Sequence, residues 1–463
     1  MTAVTTNKFA LFAPIEMKTL KPHRKIGGSL RLPGDKSISH RAALFALLSA
    51  EPLRIHNFSD GADCASSLNA VSALGCKVTQ ESATTLSVSP GEESPAEPKT
   101  IDFGNSGTTA RLLAGIVSGL DIPVIITGDE SLSKRPMQRI ITPLSALGAR
   151  FADTNQTLPL SPVGGAHGTL EYRMPVASAQ VKSAILLAAC AGGGEAAVIE
   201  DIRTRDHTER MLKHLGAQIK TQSPRIELRE DPSDPRKKIR TVLDDWKARI
   251  VVKGAGKLSG GDIDIPGDIS TAAFFFAAAA IGKGEVTIEH LGLNPTRTAF
   301  LDHLKAIGCE VHIENRVSVS EEQRGAVTVR GAKLKGRKIS GALSAQLIDE
   351  IPIIAVMACF SEGPTIIRDV AELRVKECDR LEALIENLRL MGAKVGSVED
   401  DGIVIEAKGE MQPADFKSFA DHRIAMALSI ASLFLSGEST IDNADCVAVS
   451  CPRFYELLES IKR

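Results

Sequence analysis

The amino-acid sequence predicts a mixed α/β protein of two domains, an α+β arrangement with mixed sheets. Each domain is expected to contain three strand–helix–strand–helix–strand–strand (βαβαββ) units, with the helices inside. Three observations carry this prediction: a length of 463 residues, a strand-like segment that recurs six times, and a glycine stop that follows five of these segments. A chain this long exceeds one ordinary hydrophobic core, so two domains above about 200 residues each are expected.

Six short segments rich in Gly, Val, Ile and Thr each follow an Ala/Leu-rich stretch of helical length. Such β-branched segments favour strands. They are residues 52–57 (PLRIHN), 122–128 (IPVIITG), 195–201 (EAAVIED), 284–288 (GEVTI), 363–369 (GPTIIRD) and 437–443 (GESTIDN). Their spacing of about 70 to 90 residues is too long for a solenoid repeat and indicates six mixed α/β units.

Each of the first five segments is followed, about 20 residues later, by a helix that ends in a Leu-Gly-Ala-like stop. Glycine just past an apolar helix is the expected C-terminal cap, because it adopts the left-handed conformation without steric cost. The stop glycines are Gly75, Gly148, Gly216, Gly308 and Gly392. A sixth helix, over residues 454–463, is expected to end the chain.

Two Pro-Gly-Asp segments predict where the chain passes between the domains. Residues 260–268 (GGDIDIPGD) echo residues 28–35 (GSLRLPGD). If both mark a crossing, one domain comprises residues 1–34 plus 266–463 and the other residues 35–265, with the functional site in the cleft between them. The alternative is two domains that follow one another along the chain.

Composition argues against several classes of partner. The formal net charge is −2, which gives no sign of a nucleic-acid or membrane partner. The eight cysteines are scattered without a Cys-x-x-Cys pair, so no zinc site is expected and the thiols suit a cytosolic protein. The N-terminal region lacks the layout of a secretory signal, and the apolar run at residues 271–281 is too short to span a membrane. We expect a cytoplasmic protein.

The segment PGDKSISHR (residues 33–41) predicts a phosphate site at a helix start. Asp35 or Ser37 can cap the helix. Ser37 and Arg41 lie one turn apart on one face, beside Lys36. Free backbone N–H groups, a hydroxyl and two cations bind phosphate well. The alternative is a capped helix with solvated charges.

Two further segments bring polar groups to equivalent strand-to-helix junctions. In GNSGTTAR, Gly107 lets the backbone approach a ligand and Thr108 offers a hydroxyl. In ASAQVK, Ser178 and Gln180 occupy the corresponding point. Each motif alone is weak evidence, since Ser-Ala-Gln also suits a helix cap.

A fourth segment, GDESLSKRPMQR, carries the cations Lys134, Arg135 and Arg139. Arg135 precedes a proline and is therefore expected to be extended, which would hold its guanidinium in place. The alternative is a solvated surface cluster.

In the second half, LRVKECDR sets Lys376 and Arg380 one helical turn apart, with Glu377 three residues before Arg380. These charges predict either an intrahelical ion-pair lattice or part of a site.

Two more candidates stand at unit starts in AQLIDEIPIIAV and FADHRIAMALS. Asp349 precedes a strongly apolar run and is either a helix cap or a base with a tuned pKa. Asp421, His422 and Arg423 open the last unit. Because the polar groups recur at equivalent junctions of repeated units, we expect them to converge between the two domains.

Eight ordered segments resemble the 5-enolpyruvylshikimate-3-phosphate synthase family: LPGDKSISHRA, GNSGTTAR, DESLSKRPM, ASAQVKSA, TRDHTERML, LIDEIPI, LRVKECDRL and DHRIAMAL. The resemblance covers nearly the whole chain. It implies the enolpyruvyl transferase fold of two domains with three βαβαββ units each. It also implies transfer of the enolpyruvyl group of phosphoenolpyruvate to the 5-hydroxyl of shikimate 3-phosphate, through a tetrahedral intermediate, without metal or cofactor. We expect the protein to be a monomer.

The resemblance also implies roles for individual residues. Catalysis would fall to Asp349 as the base for the 5-hydroxyl, with Glu377 and Lys36 moving protons on the enolpyruvyl carbon. Shikimate 3-phosphate would be bound by Lys36, Ser37, Arg41, Ser178, Ala179, Gln180, Arg205, Asp349 and Lys376. Phosphoenolpyruvate would be bound by Lys36, Gly107, Arg135, Gln180, Arg380 and Arg423.

One departure concerns the phosphoenolpyruvate end. Many family members have a lysine near the C-terminus that grips this substrate, whereas Val449 occupies that place here. Either another cation substitutes for the lysine or this end of the site is less basic.

Two other functions are alternatives to this one. The fold relative that transfers enolpyruvyl to a UDP-amino sugar uses a reactive cysteine in a flexible loop and lacks the Lys36–Arg41 type of phosphate cluster. A noncatalytic repeat protein that binds phosphorylated metabolites would account for the cations but not for Asp349 together with Glu377.

Overall fold

The structure is a computed structural model that describes residues 17–91, 97–153, 155–231, 234–254, 256–399 and 401–463. Four of its sheets share one strand order. The first two strands run parallel, the fourth is antiparallel to the second, and the third pairs with the fourth at the edge. In that first-second-fourth-third order the sheets are Gly261–Asp264, Leu53–His56, Leu86–Ser89, Lys77–Gln80; Thr169–Arg173, Glu195–Glu200, Ala248–Lys253, Gln218–Gln222; Gly27–Arg31, Glu285–Gly292, Glu322–Arg330, Glu310–Val319; and Lys338–Ile339, Thr365–Ile367, Gly402–Glu406, Lys394–Val398.

The remaining strands form smaller groups. Two parallel strands and an antiparallel pair belong to the second unit, a three-stranded sheet belongs to the sixth, and a hairpin is inserted in the third. These are Lys99–Asp102 with Val124–Thr127, Arg150–Phe151 with Pro162–Gly164, Asp415–Phe416 with Ser439–Asp442 and Met17–Leu20, and Ile226–Asp231 with Asp234–Val242. The repeated unit agrees with the predicted βαβαββ pattern.

Helices lie at the Ala/Leu-rich stretches and before the glycine stops, as predicted, whereas the short helices Glu130–Lys134 and Ala342–Gln346 were not predicted. The helices are Lys36–Phe45, Ala62–Ala73, Gly107–Leu120, Glu130–Lys134, Gln138–Ala146, Ala179–Gly192, His207–His214, Ile269–Gly282, Ala299–Ala306, Ala342–Gln346, Ile351–Ala358, Arg380–Leu390, His422–Ser432 and Phe454–Ser460, with 3₁₀ turns at Ala371–Val375 and Ala444–Val449. The last helix is three residues shorter than predicted.

All five predicted stop glycines adopt a positive φ, which explains why each helix ends there. The values run from 86° at Gly216 to 113° at Gly308. A side chain at these positions would meet the steric cost that makes the left-handed region favour glycine.

The helices lie inside because their faces are small and apolar. Helices Gly107–Leu120 and Ala179–Gly192 pack so closely that a Cβ at Gly115 would lie 2.3 Å from the carbonyl oxygen of Ala184. Helix Ile269–Gly282 is buried along nearly its whole length. Such all-round burial is the property expected of a helix in the centre of a large domain.

Where the chain crosses between its two halves, two sheets take their first strand from a distant part of the chain. Strand Gly27–Arg31 pairs in parallel with Glu285–Gly292, and strand Gly261–Asp264 pairs in parallel with Leu53–His56. The two Pro-Gly-Asp segments lie side by side. The N–H of Asp35 donates to the carbonyl of Pro266 at 2.8 Å, and the N–H of Asp268 donates to that of Pro33 at 3.1 Å.

Buried apolar side chains form two separate clusters. One cluster contains residues between 38 and 265. The other contains residues between 20 and 32 and between 269 and 461. We call these clusters, together with the polar residues of the same and adjoining chain segments, the first core and the second core. The domain boundaries at residues 34 and 265 stay a prediction, which this membership supports. Within the described ranges, no helix is long and apolar enough to cross a membrane.

Candidate active site

The start of helix Lys36–Phe45 lies at the crossing between the two cores. Asp35 is the cap, since its Oδ1 accepts from the N–H of Ile38 at 3.0 Å. Ser37, the alternative cap, lies inside the helix, one residue after Lys36. The backbone N–H of Lys36 donates to Oδ2 of Asp268, a second-core residue, at 3.0 Å.

The ammonium of Lys36 has a partner that the sequence did not reveal. Its Nζ lies 2.5 Å from Oδ2 of Asp63, in the first turn of helix Ala62–Ala73. Burial lowers the pKa of Lys36, but Asp63 and, to a smaller degree, Glu377 outweigh burial together, so the pKa is raised overall. Lys36 is therefore a proton-bearing cation at neutral pH.

Arg41 is buried, and its hydrogen bonds go to neutral groups. Its Nε donates to Oγ1 of Thr208 at 2.7 Å and its Nη2 to Oγ of Ser183 at 2.9 Å. Its Nη1 donates to the carbonyl of Ser37 at 2.8 Å. Burial lowers the pKa of Arg41 to about 10. Among the described residues no carboxylate bonds to it, so its charge is available to an anionic ligand.

Arg111 is a second buried cation of this kind, inside the GNSGTTAR motif but outside the predicted site set. Its Nη1 donates to Oε1 of Gln180 at 2.9 Å, and Nε2 of Gln180 donates to Oγ1 of Thr108 at 3.0 Å. Burial lowers the pKa of Arg111 to about 9. A Cβ at Gly107 would lie 2.8 Å from Nη1 of Arg111 and 3.3 Å from Nη1 of Arg135.

Ser178 and Ala179 stand at the start of helix Ala179–Gly192. Oγ of Ser178 accepts from the N–H of Val181 at 3.4 Å, so the simple capping interpretation is correct for this side chain. Both residues are only half-buried and lie one and two positions before Gln180.

Of the three cations in the GDESLSKRPMQR segment, Arg135 alone lies against the catalytic candidates. It is extended, as predicted from the following proline. Its Nη2 donates to Oδ1 of Asn105 at 2.5 Å, and its Nη1 lies 4.0 Å from Oε1 of Glu377. Lys134 pairs with Glu130 on the surface, and Arg139 pairs with Glu372.

Of the two alternatives for residues 373–380, the intrahelical lattice is wrong. A 3₁₀ turn ends at Val375, Lys376 is extended, and a new helix begins at Arg380 with Asp379 as its cap. Lys376 and Glu377 therefore lie in a loop that faces the cleft. The loop is possible because Asp379 starts a fresh helix, which a residue-spacing argument cannot detect.

Arg380 is the centre of the second-core half of the site, with 1% of its side chain exposed. Its Nε donates to Oδ2 of Asp421 at 2.8 Å, and its Nη2 lies 2.7 Å from Oε2 of Glu377. Burial raises the pKa of Glu377, but Arg380 and other nearby cations outweigh burial and hold it well below its usual range.

Asp349 lies where the two cores meet. It forms an ion pair with Arg205 of the first core, and its Oδ1 lies 3.7 Å from Arg380 and 3.9 Å from Lys376. Nη1 of Arg423 donates to the backbone carbonyl of Asp349 at 2.8 Å. Burial raises the pKa of Asp349, but Arg205 and the other cations hold it well below its usual range.

The predicted capping alternative for Asp349 is wrong. Helix Ile351–Ala358 has Glu350 at its cap position, without a side-chain capping bond. The Asp349 carboxylate therefore points to cations of the cleft and not to its own helix.

His422 is a further residue of the site. Burial and then Lys36 lower its pKa well below the usual value, and its Nε2 is buried without a hydrogen-bond partner among the described residues. The motif DHR indicated this position, but no spacing rule gave it a role.

Val449 ends the 3₁₀ turn Ala444–Val449 and lies against the start of helix Ala62–Ala73. Its carbonyl oxygen would be 2.9 Å from a Cβ at Gly61. Val449 therefore lies against the cap residue of the helix whose first turn carries Asp63.

A cavity of about 550 Å³ opens between the cores, lined by residues 129–131, 134–136 and 374–379. A hydrogen bond joins its two sides, since the hydroxyl of Ser131 donates to the carbonyl of Glu377 at 3.0 Å. Within the ranges that the structure covers, no group of three or more His, Cys, Asp or Glu side chains could hold a metal ion. The site is a set of cations and carboxylates drawn from both cores.

Comparison with known proteins gives one consistent result. The family model described as EPSP synthase (3-phosphoshikimate 1-carboxyvinyltransferase) matches residues 20–248 and 237–458. The chain is 39% identical over 447 residues to the 3-phosphoshikimate 1-carboxyvinyltransferase of Desulforamulus reducens, covering 96% of this chain and 98% of the relative. It is 41% identical over 438 residues to the protein of the same name from an Anaeromyxobacter species, covering 94% and 93%.

A solved structure agrees with the sequence relatives. The EPSP synthase structure from Acinetobacter baumannii superposes with a TM-score of 0.78 at 35% identity, covering 96% of this chain and 98% of that one. Matches of this extent, over both cores and the residues of the cleft, show that the chain belongs to the EPSP synthase family.

Proposed function

We propose that the side chains of the cleft carry out the reaction of this family. The enolpyruvyl group of phosphoenolpyruvate is transferred to the 5-hydroxyl of shikimate 3-phosphate, and inorganic phosphate is released, on the route to aromatic amino acids. The observation that carries the assignment is the pair of buried cations without carboxylate partners in the described residues, Arg41 and Arg111, with the ionised Asp349 and Glu377 in the same cleft.

Shikimate 3-phosphate occupies the end of the cleft near Arg41. Ser37, Arg41 and Arg205 supply a hydroxyl and two guanidinium groups for this substrate. Ser178, Ala179 and Gln180 extend the wall, and Lys376 approaches from the second core. The proximity of Arg205 to Asp349 supports the placement, because it puts the 3-phosphate next to the base.

Phosphoenolpyruvate occupies the end near Gly107. The backbone at Gly107 admits the ligand, and Arg135, Arg380 and Arg423 neutralise its phosphate and carboxylate, with Gln180 between the two substrates. Two dianions about 6 Å apart repel by on the order of 11 kcal/mol at an effective dielectric constant of about 20. Cations from both cores offset that repulsion when the cleft closes.

The charges of the cleft suggest which group moves each proton. Asp349 accepts the proton of the 5-hydroxyl while the oxygen of that hydroxyl attacks the enolpyruvyl carbon. Lys36, which carries a proton, donates it to the methylene carbon and gives the tetrahedral intermediate. Glu377, which is ionised, takes a proton back from the methyl carbon as phosphate leaves.

The strength of Asp349 as a base depends on whether Arg205 is paired with it. While Arg205 pairs with Asp349, the carboxylate is a weak base because its pKa is held low. The 3-phosphate competes for Arg205, so substrate binding removes part of that restraint. Asp349 therefore becomes a stronger base when shikimate 3-phosphate is present.

The UDP-amino-sugar alternative receives no support from the cysteines. Cys378, in the cleft loop, has a thiol pKa that burial raises above its usual value, and six of the eight cysteines are buried. A thiol with a raised pKa is a poor nucleophile. We further propose that the protein acts as a monomer in the cytoplasm, without a metal, cofactor, nucleic-acid or membrane partner.

The test is release of inorganic phosphate by the purified protein supplied with both substrates. Phosphate release that requires shikimate 3-phosphate supports the proposal. Turnover with a UDP-amino sugar in its place would favour the fold relative. Binding of both ligands without turnover by well-folded protein would favour the noncatalytic alternative.

A further inference from the structure

A buried charged cluster lies in the first core, linked to the residues of the shikimate 3-phosphate end. It consists of Lys182, Glu200 and Glu209, and we call it the buried triad. Nζ of Lys182 lies 3.1 Å from Oε1 of Glu200 and 2.7 Å from Oε1 of Glu209. The Lys182 and Glu200 side chains are 0% exposed. The proposed reaction uses none of these groups directly.

The first link runs from Glu200 to Arg205. Oε1 of Glu200 accepts from the backbone N–H of Thr204 at 3.1 Å and from its hydroxyl at 2.5 Å. Glu200 ends strand Glu195–Glu200, and Arg205 follows Thr204 directly. Because these two bonds close the turn after the strand, the position of Arg205 depends on Glu200.

The second link runs from Glu209 and Lys182 to Arg41. Glu209 is next to Thr208 on one helix, and Lys182 is next to Ser183 on another. The hydroxyls of Ser183 and Thr208 are 2.7 Å apart, and both accept from Arg41. The Lys182–Glu209 ion pair joins the same two helices and so fixes the spacing of the two hydroxyls.

Charge adds to this geometry. The triad has two carboxylates for one ammonium, and burial raises the pKa of Glu209. Burial lowers the pKa of Arg41, and Glu209 is the carboxylate that most opposes this decrease, without bonding to the guanidinium. Glu209 thus balances the cation from a distance.

We propose that the buried triad is a positioning device for the phosphate of shikimate 3-phosphate. It acts on Arg205 through Thr204 and on Arg41 through Ser183 and Thr208. This inference rests on the proposed function. A buried ion cluster is weak evidence for stability, since apolar replacements are often as stable. Positioning and stability can therefore be measured separately.

The experiment compares steady-state kinetics and melting temperature of the full-length wild type with Glu200→Met, Glu200→Gln and Thr204→Val. Glu200→Met removes both bonds to Thr204, whereas Glu200→Gln keeps an acceptor oxygen of similar position. Thr204→Val removes the hydroxyl and keeps the N–H. The control, Ser49→Ala, removes a buried hydroxyl that donates to the carbonyl of Glu51 at 2.6 Å beyond the other end of helix Lys36–Phe45.

We expect the KM for shikimate 3-phosphate to rise about tenfold in Glu200→Met and about threefold in Thr204→Val, as for loss of one or two bonds that hold a ligand-binding group. The KM for phosphoenolpyruvate and kcat should change by less than about twofold, and Glu200→Gln should recover most of the affinity. Ser49→Ala should change the melting temperature alone.

Three outcomes overturn the inference. They are an unchanged KM for shikimate 3-phosphate in both Glu200→Met and Thr204→Val, an equal rise in both KM values, or a Glu200→Gln variant as impaired as Glu200→Met. If Glu200→Met does not fold, Thr204→Val decides the result. A wild type that binds no shikimate 3-phosphate and releases no phosphate would instead refute the proposed function.

Discussion

Nζ of Lys36 and Oδ2 of Asp63 lie 2.5 Å apart, which joins the starts of two neighbouring helices of the first core. Asp63 is the main cause of the raised pKa of Lys36, against burial. In Asp63→Asn that cause is lost, burial remains, and the ammonium gives up its proton at lower pH. Because Lys36 is the proposed proton donor, the high-pH limb of the kcat profile should move to lower pH. Asp60→Asn, three residues away, is the control and should leave the limb in place.

Removal of the proton-transfer groups should lower turnover without preventing folding. We expect Lys36→Met and Asp349→Ala each to reduce kcat at least about a hundredfold, as is typical when a general acid or base is lost. Quenched-flow or steady-state phosphate release measures this directly. An unchanged kcat in both variants would contradict their roles.

Gly107→Ala should impair the phosphoenolpyruvate end selectively. The added Cβ would lie 2.8 Å from Nη1 of Arg111, so at least one guanidinium must move. Loss of one charge-assisted contact predicts a KM for phosphoenolpyruvate about tenfold higher, with a smaller effect on shikimate 3-phosphate. Gly437→Ala, where the nearest atom is Cγ of Pro413 at 3.2 Å, is the control. Equal effects on both substrates would argue against this placement.

Three buried histidines should make stability depend on pH. Burial lowers the pKa of His40 and His422 well below the usual value and that of His303 to about 4. The folded state keeps them neutral, while the unfolded chain binds protons below about pH 6.5. Their stabilising contribution is therefore complete above pH 6.5 and is lost as pH falls toward the folded pKa, by about 1.4 kcal/mol per pH unit for each group.

His303 allows this pH dependence to be tested away from the cleft. It stacks on Phe300 with ring centroids 6.2 Å apart. In His303→Gln, the decrease in denaturation midpoint between pH 6.5 and pH 5 should be about one third smaller than in the wild type. An identical decrease in the variant would show that His303 is not kept neutral.

A strained turn precedes the Asp421-His422-Arg423 segment. Phe419 and Ala420 both have φ near 54°, in the left-handed region that non-glycine residues avoid. Ala420→Gly should relieve this strain and stabilise the second core by about 1 kcal/mol. Ala425→Gly, inside helix His422–Ser432, should destabilise by at least about 1 kcal/mol. Thermal unfolding of the pair measures both signs, and a lower melting temperature for Ala420→Gly would contradict the strain.

The sequence predicted features that depend on local chemistry. The five stop glycines, the extended Arg135 and the six strand segments follow from conformational preferences of a few adjacent residues. The motifs PGDKSISHR, GNSGTTAR and ASAQVK were found because each stands at the start of a helix.

The features that the sequence did not predict depend on partners distant along the chain. Asp63 carries no local sign that it binds Lys36, and the buried position of Arg111 follows from the packing of helices Gly107–Leu120 and Ala179–Gly192. The loop at Lys376 was not predicted because charges spaced three and four residues apart fit a helix as well as they fit a loop. Tertiary contacts decide such cases.

The strand exchange at the crossing has a consequence for synthesis on the ribosome. Strand Gly27–Arg31 leaves the exit tunnel early, but its parallel partner Glu285–Gly292 is made about 250 residues later. At about 5–20 residues per second, this strand waits roughly 13–50 s with an unpaired edge. Strand Met17–Leu20 waits longer, since it pairs with Ser439–Asp442. The nascent chain therefore has a prolonged period in which these two strands need protection from pairing with other chains.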